Sequence, residues 1–208
     1  MKKLSLYERA ICHFRTITKH KLTVMKGCFE VGLYKQGLLH DLSKYSPREF
    51  MVGVHYYQGT RSPNAAERDD IGYSNAWLHH KGRNRHHYEY YIDFMPMNGE
   101  KPLNIAPMPD KYIVEMFIDR VAACKVYHGD KFSVRDPYDY YSKGNTAQFL
   151  HPYTERMLVR LLKMYAKYGE AYTYKYIRTV ILKNESGIKG FIGSIMKHFN
   201  IHTGPKGK

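Results

Sequence analysis

Apolar residues recur along most of the chain at intervals of three and four rather than in alternation, a period that predicts helices. Ser5, followed three positions later by Glu8, is a capping-box signal for a first helix whose apolar positions are Leu6, Ala10, Ile11, Phe14 and Ile17. A second helical stretch is expected from about Lys19 to Tyr34, with Leu22, Val24, Met25, Phe29 and Leu33 available for one buried stripe. Gly37 then resets the chain ahead of Leu38-Leu39-His40-Asp41-Leu42. Ser46-Pro47-Arg48-Glu49 marks another start, because Ser can cap, Pro suits the first helical position and Glu can reach back. That helix should run to about Tyr57. After a loop from Gln58 to Pro63, Asn64 with Glu67 caps a helix through Trp77 to His80, stopped near Gly82.

The pattern breaks from Asp93 to Pro109, where four prolines and the Asn98-Gly99 pair favour a short hairpin or loop insertion. A strong helix follows from Asp110 to His128, with Ile113, Val114, Phe117, Ile118, Val121 and Ala122 forming a wide apolar face. Beyond a polar loop through Lys143-Gly144-Asn145, two amphipathic helices are expected at 147–168 and 170–183, parted at Gly169. A last short one is expected at 187–199, with a polar tail at 201–208. The fold class is therefore all-α, a single helical domain over 1–200 with accessory helices at 146–200.

A length of 208 residues suffices to bury a core without staples. Cys12, Cys28 and Cys124 are odd in number and widely spaced, which fits buried thiols in a reducing cytoplasm better than a disulfide framework. No apolar run reaches membrane-spanning length, so a cytoplasmic protein with no membrane partner is expected. The formal net charge of +14 favours phosphates: nucleotides, a nucleic-acid backbone, or simply a well-solvated surface.

Twelve histidines sharpen the picture, because His79, His80, His86 and His87 fall close together and His20 and His40 precede them. Imidazole and carboxylate are the usual ligands of zinc, manganese and iron, and a site needs several of them aimed into one cavity. His40 and Asp41 are adjacent, so on a helix they diverge by about 100° and can grip one ion only from its edge. Asp119 stands inside an otherwise apolar helix, a costly position unless it binds a metal or pairs with a base such as Arg120 or Lys125.

The ordered set His20, His40-Asp41 and Asp119 resembles the HD superfamily of metal-dependent phosphohydrolases, and most closely a bacterial and phage branch of it. The resemblance covers roughly residues 13–125, with a metal-site core over 13–128. His40-Asp41-Leu42-Ser43-Lys44 is similar to the His-Asp-x-x-Lys segment of HD phosphodiesterases, which implies that Lys44 approaches a substrate phosphate. Binuclear members hold a second metal with histidines between the doublet and the last aspartate, the interval occupied here by His80, His86 and His87. His80 and His86 stand closer together than in the cyclic-dinucleotide phosphodiesterases. The resemblance implies one or two divalent ions (Mn, Zn, Fe or Mg) held by His20, His40, Asp41, His80, His86 and Asp119. It further implies hydrolysis of a nucleotide or other phosphoester by a metal-activated water, with His87 or Glu89 as general acid or base and Arg83 or Arg85 as auxiliary charges. Two other functions fit the same residues: an HD-fold di-iron oxygenase, and a non-enzymatic nucleic-acid-binding protein that uses the basic surface.

Overall fold

The structure, a computed structural model, describes residues 4–94 and 103–183. The expected helix at 187–199, the tail at 201–208 and the Asn98-Gly99 turn lie outside the described residues. Among those described there are eight α-helices and one two-stranded ribbon, an all-helical fold.

The first two expected helices are one, α1 (Leu6–Val31). No Gly or Pro interrupts the chain between Ile17 and Leu22, so propagation of the helix costs less than ending and renucleating it. The capping box forms as read: Ser5 Oγ accepts from the Glu8 amide at 3.2 Å, and Glu8 Oε2 accepts from the Ser5 amide at 2.8 Å. The inward face is His13, Ile17, His20, Val24, Gly27, Cys28 and Val31. Phe14 and Leu22, expected in the buried stripe, are instead 49% and 52% exposed, because the stripe is rotated toward the two histidines.

A short α2 (Tyr34–Leu39) follows, with Gly37 buried inside it rather than ending it. The chain leaves the helix at His40 and turns left-handed at Asp41, φ 52°, so the doublet is a helix exit, not a helical pair. A 3-10 turn at Leu42–Tyr45 leads to α3 (Pro47–His55), whose cap Ser46 accepts from the Glu49 amide. The single helix expected from Asn64 to His80 is two, α4 (Pro63–Ile71) and α5 (Asn75–Lys81), broken at Gly72. Glu67, read as part of a cap for α4, serves α5 instead. It is 2% exposed, and its oxygens accept from Ser74 Oγ at 2.5 Å and the Asn75 amide at 3.1 Å.

The 93–109 insertion contains the ribbon: β1 (Ile92–Phe94) pairs antiparallel with β2 (Leu103–Ile105), Ile92 opposite Ile105 and Phe94 opposite Leu103. Helix α6 (Asp110–His128) has the expected bounds. The polar stretch after it is not all loop, since α7 (Asp136–Lys143) forms there with Pro137 in its first turn. The two C-terminal helices, taken together as α8 (Pro152–Tyr176), are parted at Gly169 as expected, its φ of 76° and ψ of −174° being a non-helical conformation that side chains disfavour. A π turn, Ile177–Ile181, continues it.

The core lies where α6 crosses α1 and α8. Val24, Cys28 and Val31 of α1, Ile113, Val114, Phe117, Ile118 and Val121 of α6, and Leu158, Leu161, Leu162 and Tyr165 of α8 are all buried. Phe117 and Tyr165 meet edge to face at 5.8 Å. This packing leaves the other flank of α6, with Glu115 and Asp119 one turn apart, facing His20 of α1 together with His40 and His86.

Helix α3 meets α1 at Gly53, where an added Cβ would stand 2.1 Å from His13 Nε2. Gly53→Ala should therefore lose about 1–3 kcal/mol of stability through overpacking. Met51→Ala, on the exposed side of the same helix, should stay within about 0.5 kcal/mol of the parent. Urea unfolding followed by circular dichroism compares the two; equal midpoints would remove the close approach from the account.

Candidate metal centre

Five separate segments deliver side chains to one buried point. His20 comes from mid α1, His40 from the exit of α2, and Asp41 from the left-handed residue after it. His80 comes from the last turn of α5, His86 and His87 from the loop before the 3-10 turn Tyr88–Tyr91, and Asp119 from α6. All six residues expected as ligands are brought together. Together with His87 they form two groups whose candidate ligand atoms lie within 4.8 Å of one another: His20, His40, Asp41 and Asp119; and Asp41, His80, His86 and His87. Asp41 belongs to both.

Its two oxygens divide between the groups. Oδ2 lies 3.3 Å from His40 Nε2 and 3.9 Å from His20 Nε2. Oδ1 lies 3.1 Å from His80 Nε2 and 3.3 Å from His86 Nε2. Asp119 Oδ1 closes the first group at 2.9 Å from His20 Nε2 and 3.6 Å from His40 Nε2. His87 Nε2 closes the second at 2.9 Å from His80 Nε2. A divalent ion sits about 2.0–2.2 Å from nitrogen or oxygen ligands, so two ligands of one ion stand roughly 3–4 Å apart, and these separations fit.

The outer sides of the rings decide what the inner sides offer. His40 Nδ1 is 3.0 Å from Glu115 Oε1, His86 Nδ1 is 3.2 Å from the same oxygen, and His80 Nδ1 is 2.8 Å from Glu49 Oε2. A carboxylate beside Nδ1 draws the imidazole proton there, leaving a lone pair on Nε2. In the neutral rings those lone pairs face the oxygens of Asp41 and Asp119, an arrangement that a proton or a metal ion on Nε2 would satisfy. Consistent with this, His20 Nε2, His40 Nε2, His86 Nε2 and both Asp41 oxygens are buried with no aligned hydrogen-bond partner. Buried polar atoms are rarely left so, and a cation among them reconciles the arrangement.

Burial lowers His40, His80 and His86, but Asp41 and the carboxylates at their Nδ1 atoms outweigh it and push all three above the ordinary imidazole value, so a proton and a cation compete for the same Nε2 atoms. Burial raises the Asp41 carboxyl, but His40, Lys44 and His80 outweigh it and hold the group well below the usual carboxylate range. Asp119 is likewise held low, burial being overcome by His20 and His40. Burial together with its neighbours His86 and His80 pushes His87 well below the ordinary imidazole value, leaving it a neutral ring.

Lys44 Nζ stands 2.6 Å from Asp41 Oδ2 with its side chain 28% exposed, so it links the centre to the surface. Burial lowers its pKa, but Asp41 more than restores it and the ammonium persists. A cavity of about 100 Å³ reaches Lys44 and Glu49 between Tyr57, Trp77 and Tyr127. A larger one, about 630 Å³, runs along α1, α6 and α8 past Leu22, Lys26 and Ile118 and contains none of the clustered residues.

Not every expected residue has the expected place. His87 stands among the ligands rather than apart from them as an acid or base. Glu89 lies outside both groups, its Oε1 accepting from Trp77 Nε1 at 3.1 Å while the indole stacks on His80. Arg83 bonds the His79 carbonyl, and Arg85 lies over the rings of Tyr90 and Tyr112. Glu49 and Glu115 were missed. Glu115 has one readable signal, a carboxylate four residues before Asp119 and so on the same helical face; Glu49 has none, because it reads as an ordinary first-turn helix residue.

Residues 9–164 match DUF5662, a family of unknown function, and the chain belongs to it. No curated protein and no solved structure matches the chain.

Metal content separates the two groups. Protein supplied with manganese or zinc should retain two ions per chain, and Asp41→Ala should retain neither. His20→Ala and His87→Ala should each keep one. Elemental analysis after desalting gives the count, and a parent that retains no ion would remove the centre altogether.

Proposed function

We propose that this DUF5662 chain is a metal-dependent phosphohydrolase of the HD type, acting on a nucleotide or other phosphoester. The observation that carries the reading is the set of buried imidazole nitrogens and carboxylate oxygens converging on Asp41, which divides its two oxygens between two groups of imidazoles. His20, His40, Asp41 and Asp119 would hold one ion, and Asp41, His80, His86 and His87 a second. Divalent ions held there supply a lowered pKa for a bound water and a polarised phosphoryl oxygen.

The remaining roles fall to the chain's own groups. Lys44 is the half-buried cation beside Asp41, placed to receive an anionic oxygen of the substrate and to offset charge that grows during phosphoryl transfer. Glu115 and Glu49 keep the rings of His40, His86 and His80 turned inward. Tyr57, Trp77 and Tyr127 border the cavity beside Lys44. The net charge of +14 draws anionic substrates toward the surface. Among the described residues no helix is long and apolar enough to cross a membrane.

The test is a panel of nucleoside mono-, di- and cyclic phosphates and simple phosphodiesters, assayed for product with manganese or zinc present. Activity should vanish in Asp41→Ala. Lys44→Met should keep its metal and lose about 10²-fold in turnover, the scale of one lost charge-stabilising donor. Retained iron with dioxygen uptake and no hydrolysis would assign the centre to oxygen chemistry instead. Salt-sensitive nucleic-acid binding that survives chelation, again without hydrolysis, would leave the basic surface as the functional element.

A further inference from the structure

The two groups of ligands share more than Asp41. We infer that Glu115 is a positioning residue that couples the two ions, by holding one ligand of each through a single oxygen. The inference rests on the two-ion reading of the centre but not on the reaction assigned to it.

Glu115 Oε1 is 3.0 Å from Nδ1 of His40, a member of the first group, and 3.2 Å from Nδ1 of His86, a member of the second. The two rings lie against each other, centroids 4.4 Å apart and planes inclined by 35°, so neither turns without displacing the other. The carboxylate is buried, with Glu115 4% exposed, and it sits one helical turn before Asp119 on the rigid middle of α6. An ion drawn to His20, His40 and Asp119 fixes the His40 ring, which fixes Glu115 Oε1. That oxygen in turn fixes the His86 ring at the angle the second ion needs. The second ion then meets a ligand already ordered, and its binding loses less conformational freedom. By linkage the effect is reciprocal, whichever ion enters first.

Glu49 is the internal contrast. Its oxygens take Nδ1 of His79 and Nδ1 of His80, and only His80 belongs to a group of ligands. Removing Glu49 should therefore weaken the second ion alone, whereas removing Glu115 should weaken both. Glu115 also stands with His40 and His86 as a third set able to hold an ion, but that ion would take the two Nδ1 atoms and replace the contacts by which Glu115 holds both rings.

The experiment is manganese titration of chelator-treated protein, with free and bound ion followed by electron paramagnetic resonance. His20→Ala and His87→Ala provide single-ion backgrounds. Glu115→Ala should weaken the remaining ion about 10–100-fold in each background, the usual cost of losing an outer partner of a ligating histidine. Glu115→Gln, which keeps an acceptor of similar reach without the charge, should recover part of that loss in both. Glu49→Ala should act only where the His80 ion remains. In the parent the second ion should bind roughly 5–150-fold more tightly than the first group's absence allows, a gain that Glu115→Ala removes. Weakening in one background alone, or one ion lost with the other unchanged, would make Glu115 a ligand or a local support and overturn the coupling. A parent that takes up two ions independently would overturn it as well. A parent that takes up none would remove the two-ion reading and this inference together. Matching far-ultraviolet circular dichroism among the variants separates all of these results from unfolding.

Discussion

One carboxylate placed in an unfavourable backbone conformation organises the molecule. Asp41 has φ 52°, a region that costs a non-glycine residue of order 1 kcal/mol or more and persists only where the surroundings impose it. Here the surroundings are the end of α2 on one side and the turn bond from the Lys44 amide to the Asp41 carbonyl on the other. The left-handed step turns the Asp41 side chain back toward His40 rather than a third of a turn away, as a continuing helix would. The two neighbours therefore reach a common point. A buried charge in such a place is expensive unless compensated, and the compensation is visible in Lys44 and the ring of imidazoles.

The helices around that point each serve both the core and the histidine cluster. Helix α6 gives Phe117, Ile118 and Val121 to the core shared with α8, and on its other flank Glu115 and Asp119 to the histidines. Helix α1 instead serves both along one face, with His13 and His20 in its first part and Val24, Cys28 and Val31 further on in the core. The hydrophobic packing fixes the spacing of these helices, and the spacing brings the clustered imidazoles and carboxylates within reach of one another. Polar residues thus occupy positions that a simple amphipathic helix would give to leucine, and that substitution is the mark the site leaves on the pattern.

Much of the centre was legible because its residue types are rare in combination. His20, His40, Asp41, His80, His86 and Asp119 stand out as imidazoles and carboxylates in a helical sequence, and all six converge. The outer carboxylates did not stand out, since a glutamate on a helix ordinarily faces water and only the fold tells that Glu49 and Glu115 do not. The same ignorance of tertiary direction put Phe14 and Leu22 in a buried stripe when the inward face is set by His13 and His20. Helix ends were misplaced where a local signal had a longer-range use. Glu67 looked like a capping partner for its own helix, yet it anchors the start of the next, and that anchor with Gly72 divides one expected helix into two.

The continuity of α1 restricts how the chain can change length. A residue inserted anywhere between Ser5 and His20 would advance the helix by about 100° and 1.5 Å, carrying either the capping box or the imidazole off its station. No loop stands between them to absorb the shift. Length variation among relatives should accordingly gather at the seams between helices, as at Gln58–Ser62, while the stretch from the cap to His20 keeps a fixed count of residues. That stretch acts as a ruler, measured from an exposed end and read at a buried one.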